Sequence, residues 1–330
     1  MAGKNATGDI HLDDEGRPRL LERRFVVEEA FAGYRLDHYL KRKIPRLSRT
    51  KLQEIIRSQV TRGDGKRMKA HSTVAAGEQY VILHPARPEP PCPRTFEVIY
   101  RDEQMMVIDK PAGLPVHVSA KFYFNTLTRV LSERYPDEKL QICHRLDRET
   151  SGVMVIARSK QAASRLKGQF QRHTVRKTYL AIVHGEPTWD ETEIDLPLGL
   201  TNDPNALIDI RMVARDDAPP ACTQVTVRDR TPGYTLVECR PVTGRQHQIR
   251  VHLAEIGVPI VGDKLYAHGD EAFAAYCDGG MTEELLARFE LPRQALHAHS
   301  VRLRHPETDE ELQIDSPLPP DLEGFFNAVR

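Results

Sequence analysis

Apolar positions recur at helical spacing near the start of the chain, where Leu36, Tyr39 and Leu40 fall on one face. A second helix is predicted just beyond, with Ser48 as N-cap, Leu47 and Leu52 as a hydrophobic staple across it, and Ile55 and Ile56 continuing the apolar line. Val60, a Gly63-Asp64-Gly65 turn and a short strand over 80–83 complete a helix-helix-hairpin pattern. Five prolines (Pro85, Pro88, Pro90, Pro91, Pro93) then exclude helix and central strand and predict an extended linker. From Phe96 onward strand-like runs dominate, over 96–100, 105–108, 153–157, 175–184, 224–227 and 234–240. Helices are predicted over 125–134 and from the N-cap Ser159 to Gln171, with Leu166 and Phe170 facing inward. Strands and helices do not alternate as βαβ units, so the expected class is α+β. The expected organisation is an N-terminal tail (1–18), a small basic α/β domain (19–84), a proline-rich linker (85–95) and a mixed or antiparallel sheet domain (96–330).

Composition narrows the function. The 330 residues carry 47 Lys+Arg and 47 Asp+Glu, which argues against a uniformly basic, histone-like protein, and 40% apolar residues exclude global disorder. The longest apolar run is six residues (272–277), far short of the roughly 20 that span a bilayer. No apolar leader segment precedes the first helix, so the expected compartment is the cytoplasm and the five cysteines are expected to be reduced. Neutrality nevertheless hides an asymmetry: residues 35–72 hold twelve basic side chains and three acidic ones. An excess of this size in so short a span is a nucleic-acid footprint more often than a solvated face.

Four clusters carry candidate chemistry. The densest is Cys143-His144-Arg145-Leu146-Asp147-Arg148-Glu149-Thr150-Ser151-Gly152, a polar loop leading into an apolar strand. Cys143 stands out there as the cysteine beside this loop. The second cluster, from Thr243 to Leu253, reads as a helix capped by Thr243 with Ile249, Leu253 and Ile256 inward and with Arg245, His247 and Arg250 exposed to a cleft. His247 and His252 are five apart, which does not match metal ligands on one helix face. Tyr179 sits in a strand, where packing alone is the ordinary reading, and Asp109-Lys110-Pro111-Ala112-Gly113-Leu114 reads as a turn.

Taken together these pieces resemble the pseudouridine synthases of the RluA type. The resemblance runs from Arg35 to Pro320. It rests on H-R-L-D-R-E-T-S-G at His144 to Gly152, with D-K-P-A-G-L at Asp109, R-K-T-Y-L-A at Arg176, G-R-Q-H-Q-I-R-V-H-L-A-E-I-G-V-P-I-V-G-D-K-L-Y at Gly244 and Q-A-L-H-A at Gln294. The N-terminal pattern is similar to an S-four-type RNA-binding domain, an arrangement found in that family.

The resemblance implies an isomerase that breaks the bond between ribose and uracil nitrogen, turns the base and rejoins it through ring carbon five, with no cofactor and no metal. It makes Asp147 the nucleophile, Arg250 its guanidinium partner with Arg245 as second choice, and Tyr179 the residue that stacks on the base and is a candidate proton acceptor. Attack on the base, attack on the sugar and assisted elimination all remain open. Arg145 is implied to fill the space left by the flipped uridine, and His144, Arg245 and His247 to contact RNA. Arg35, Arg46, Arg49, Lys51 and Arg57 are expected to grip phosphates. The expected partner is structured RNA, ribosomal RNA in preference to transfer RNA, with no membrane and no obligate protein partner. A non-catalytic RNA-binding or ribosome-assembly factor and a nucleoside hydrolase are the competing readings. The acidic stretch 267–293 departs from the usual pattern and is expected to shape substrate access.

Overall fold

The computed structural model describes residues 10–45, 47–119, 121–203 and 206–330. The chain divides between Pro90 and Pro91 into two compact units.

In the first unit, α1 (Leu36–Lys43) and α2 (Arg49–Gln59) pack on a three-stranded antiparallel sheet of β1 (Leu20–Val26), β2 (Val60–Arg62) and β3 (Gln79–Pro85), with β3 central. Ser48 caps α2 as its sequence suggests, accepting from the Lys51 N–H at 3.2 Å. Leu36, Tyr39, Leu40, Leu52, Ile56 and Tyr80 form the buried centre. Two features differ from the expected hairpin. Strand β2 pairs in register with β3, Val60 opposite Ile82, across the whole 63–78 segment, while the glycine turn closes only the local Thr61–Arg67 bridge. Strand β1 was not foreseen: in LLERRFV only Phe25 is buried, so no alternation marks it.

The second unit is built on a ten-stranded sheet. Its strands are β4 (Glu97–Arg101), β5 (Met105–Lys110), β6 (Gln141–Ile142), β7 (Ser151–Ala157), β8 (Arg176–His184), β9 (Glu191–Asp195), β12 (Cys222–Thr231), β13 (Tyr234–Pro241), β14 (Leu296–Arg304) and β15 (Glu311–Asp315). The main path runs β4-β5-β7-β14-β8-β13-β12-β9, with β6 beside β7 and β15 beside β14. A separate hairpin joins β10 (Leu198–Leu200) to β11 (Met212–Ala214). The pairing of β7 with β14 is parallel, and the other pairings among the described residues are antiparallel. The fold is therefore the mixed α+β sheet that the irregular element order implies.

Helices cover both faces of the β7 end. All seven residues of β7 are buried. Alternation directs Met154 and Ile156 to the side of α3 (Leu127–Arg134), against Leu127, Val130 and Leu131. Val153, Val155 and Ala157 point the other way, to Ala162, Ala163 and Leu166 of α4 (Lys160–Gln171). Ser159 caps α4 by accepting from Ala162 N–H at 3.0 Å. At the β8 end, α5 (Gln248–Glu255) and α8 (Pro320–Ala328) contribute Ile249, Leu253, Leu322 and Phe326 to a second core.

The stretch 267–293 contains α6 (Gly269–Gly279) and α7 (Glu283–Phe289). Arg211 pairs with Asp270 at the first turn of α6, where an acidic side chain also suits the helix dipole. No helix among the described residues is long and apolar enough to cross a membrane.

Candidate active site

The loop leading into β7 presents Asp147 at a cleft of about 590 Å³. Several bonds fix its backbone. Thr150 N–H donates to Asp147 O at 3.2 Å, Val155 N–H donates to His144 Nε2 at 3.0 Å, and Gly113 N–H donates to Arg148 O at 2.7 Å. Lys110, wholly buried, donates from Nζ to the carbonyls of Pro111, Leu114 and Arg148 at 2.8, 3.0 and 3.1 Å. The sequence showed that segment only as a turn; its lysine ties the turn to the residue after Asp147. On the other side, Lys264 donates to Glu149 at 2.7 Å, and Tyr276 of α6 meets Arg148 at 2.7 Å. The acidic stretch thus braces the loop through an aromatic side chain.

Arg250 lies between two carboxylates. Its Nη1 donates to Asp147 Oδ2 at 2.9 Å, while Nε and Nη2 donate to Asp263 at 2.6 and 2.9 Å. Asp263 is itself held by the backbone N–H groups of Leu265 and Tyr266. Burial raises the Asp147 pKa, but the Arg250 charge outweighs it, aided by His247 and the Arg250 hydrogen bond, and leaves the carboxyl below its usual range. Oδ1 of Asp147 accepts no hydrogen bond among the described residues, so one oxygen is anchored and the other faces the cleft.

The helix carrying Arg250 does not begin as expected. Thr243 is not its cap: the Thr243 hydroxyl donates to Gln248 Oε1 at 2.7 Å, and that oxygen also accepts from Arg245 N–H at 3.0 Å. The N-cap is His247, in the left-handed region at φ 55°. Arg250 is buried instead of exposed, because α5 is covered from Gln248 to Leu253.

Tyr266 joins His247 to the β11 backbone. The Tyr266 hydroxyl oxygen accepts from Met212 N–H at 3.0 Å and lies at hydrogen-bond distance, 2.8 Å, from His247 Nδ1. The other ring nitrogen, Nε2, faces Asp147 Oδ2 at 3.8 Å. Burial, with the Arg250 charge, lowers the His247 pKa to about 4, so the ring is neutral at pH 7. His252 is structural, contacting Thr223 Oγ1 and the Leu196 carbonyl.

Tyr179 enters the cleft from β8. Burial, reinforced by the Asp147 charge, pushes its phenol above its ordinary value, so the phenolate needed for a proton acceptor is disfavoured. Arg145 and Arg245 are exposed at the cleft; Arg245 Nε donates to Pro220 O at 3.1 Å.

His144 lines the same cleft, beside the Asp147 loop. Its Nε2 accepts a backbone N–H, its ring stacks on Phe170 at 4.5 Å, and burial lowers its pKa to about 3, so it serves the loop as a neutral acceptor. Burial likewise pushes the Cys143 thiol up to about 11, leaving no reactive thiolate at neutral pH.

In the first unit, Arg35 and Arg49 converge on one buried carboxylate. Asp37 accepts from Arg35 at 3.1 and 3.0 Å, from Arg49 at 3.2 Å and from Gln53 at 2.8 Å. Both arginines are half exposed, so each guanidinium is fixed in direction and open to solvent on one side. Lys51 pairs with Glu54 at the surface, Arg57 is exposed on the same helix, and Arg46 lies outside the described residues.

Sequence reasoning missed Asp263, Tyr266 and Lys110 as parts of the site. One local signal was present in Gly262: at φ +74° a Cβ there would approach Arg293 O to 2.1 Å, so glycine is required where the chain turns to present Asp263.

An anchored carboxylate beside a phenol, in a basic cleft on this mixed sheet, is the arrangement of an enzyme acting on a polyanion. Residues 104–255 match the family described as RNA pseudouridylate synthase. The chain is 37% identical to ribosomal large subunit pseudouridine synthase D of Xanthomonas campestris pv. campestris, over 93% of this chain and 92% of that one. It is 32% identical to ribosomal large subunit pseudouridine synthase C of Vibrio vulnificus, over 92% and 95%. The solved structure of human RNA pseudouridylate synthase domain containing 4 superposes with a TM-score of 0.57 at 31% identity, covering 71% of this chain and 92% of that one. The chain belongs to the RNA pseudouridine synthase family and is an isomerase that converts uridine to pseudouridine in RNA.

Proposed function

We propose that the target is a uridine in ribosomal RNA and that Asp147 is the nucleophile. The carrying observation is the Arg250 bridge between Asp147 and Asp263, which keeps the carboxylate ionised with Oδ1 free. The isomerisation breaks the N1–C1′ bond and forms C5–C1′; ring carbon five loses a proton and N1 gains one, so no redox partner or added group is needed. An ionised, oriented carboxylate suits a reaction whose barrier lies in cleaving the glycosidic bond and holding the detached base.

In this reading Tyr179 stacks on the uracil and offers its phenol as a hydrogen-bond donor beside Asp147, its raised pKa disfavouring the role of proton acceptor. Arg145, exposed at the cleft, takes the place of the flipped nucleotide, which offsets part of an unstacking cost of a few kcal/mol. The basic first unit supplies sequence-independent phosphate attraction. The ribosomal preference is supported by two relatives named for the ribosomal large subunit that match over more than nine-tenths of their length.

Tritium release from RNA carrying uridine labelled at carbon five tests the chemistry. Asp147→Asn is expected to abolish release while RNA is still bound; undiminished release would remove Asp147 as nucleophile. Mapping pseudouridines in total RNA with and without the gene tests the target, and a lost site confined to transfer RNA would redirect it.

A further inference from the structure

We propose that Lys177 binds a backbone phosphate of the RNA next to the uridine held at Asp147 and Tyr179, making a phosphodiester subsite within the cleft. Lys177 lines the same cleft as those two residues. It precedes Tyr179 by two positions on β8, so both side chains leave the same face, about 6–7 Å apart along the strand. That separation suits one nucleotide unit, with its base against the phenol and its phosphate at the ammonium.

The charge around Lys177 is unbalanced. Its Nζ donates to the Thr243 carbonyl at 3.0 Å, and no carboxylate pairs with it among the described residues. Five lining residues are Lys or Arg (Arg145, Lys167, Lys177, Arg245, Arg250), whereas Asp147, already paired with Arg250, is the one carboxylate among them. Burial without a counter-ion lowers the Lys177 pKa to about 8, and a bound anion would reverse that effect. Gly244 adjoins the ammonium: a Cβ built there would lie in ordinary van der Waals contact with Nζ, at 3.7 Å. An RNA phosphodiester satisfies the two remaining ammonium donors, and its lasting negative charge supplies the missing partner.

This subsite rests on the reading that the target base lies at Asp147 and Tyr179, so the two are tested separately. The probe is a short RNA substrate carrying single neutral methylphosphonate linkages placed in turn around the target uridine. With the wild-type enzyme, one linkage adjacent to the target is expected to weaken binding by about tenfold or more. Lys177→Met is expected to weaken binding of the unmodified RNA by a similar factor, to lose further sensitivity to that one linkage, and to lower the slope of log affinity against log salt by about 0.7–0.9. Lys177→Arg, which keeps the charge, is expected to retain the sensitivity and covers the case of a poorly folded Met variant. Equal methylphosphonate losses in wild type and Lys177→Met, or Lys177→Arg insensitive at every linkage, would overturn the subsite. Competition by inorganic phosphate alone, with no linkage dependence, would assign the lysine to a free anion and also overturn it. Tritium release by Asp147→Asn reports on the underlying reading independently.

Discussion

Asp263 grips Arg250 with both carboxylate oxygens, at 2.6 Å from Nε and 2.9 Å from Nη2, and so fixes the direction in which Nη1 reaches Asp147. A buried charge pair of this kind is costly to break from one side. Asp263→Asn is expected to lower unfolding stability by about 3 kcal/mol in urea titration. Single-turnover conversion should fall while RNA affinity stays within a few-fold. An unchanged rate would show that Arg250 is oriented without its second carboxylate.

Three buried histidines give the stability a defined pH dependence. Burial lowers the pKa values of His144, His247 and His297 to about 3, 4 and 4, whereas an unfolded histidine titrates near 6.5. Between pH 4 and 6.5 the unfolded chain therefore binds more protons, and stability falls as pH drops through this window. Above about 6.5 their contribution is complete. The urea midpoint is expected to climb from pH 4 to 6.5 and then level; a flat profile would contradict neutral burial of these rings.

Tyr179→Phe separates stacking from hydrogen bonding. The ring remains and the phenol is lost, so RNA binding should persist while single-turnover conversion drops by about 10²-fold. Because the phenol pKa lies above its ordinary value, the wild-type rate should show no inflection near pH 8–9 from this group. Conversion by the Phe variant at the wild-type rate would reduce Tyr179 to a stacking platform.

Arg145→Ala tests nucleotide flipping. The loss in single-turnover rate is expected to be about tenfold or more on a target within a paired stem, and smaller on the same uridine in an unstructured oligonucleotide, where less stacking must be broken. Equal losses on both substrates would instead assign Arg145 to general binding.

Much of the scaffold was legible from short-range chemistry. Ser48 and Ser159 cap the helices their positions imply, and the strand runs at 105–108 and 153–157 became β5 and β7 with a few residues added at their ends. Reading failed where an element departs from one-sided burial. The polar β1 shows no alternation, and α5, covered over six consecutive residues, breaks the amphipathic template that placed Arg250 outward. The cap at Thr243 looked sound locally, yet the Gln248 side chain claims its hydroxyl and the chain turns into the helix at His247 instead. Asp147, Tyr179 and Arg250 came from a resemblance of motifs, and the structure brings all three to one cleft. Asp263 sits in an irregular segment thirteen residues after Arg250, a separation that carries no periodic signal.

Strand β7, which follows the Asp147 loop, and strand β8, which carries Tyr179, share β14 as a neighbour. Ala298 of β14 lies opposite Gly152, which follows the Asp147 loop, and opposite Tyr179 on its other edge. At Gly152 a Cβ would collide with Ala298 O at 2.2 Å. Ala298 thus works as a gauge block: carboxylate and phenol are each set against the same short piece of main chain. Slippage along the parallel seam between β7 and β14 would alter their spacing before it disturbed either half of the sheet.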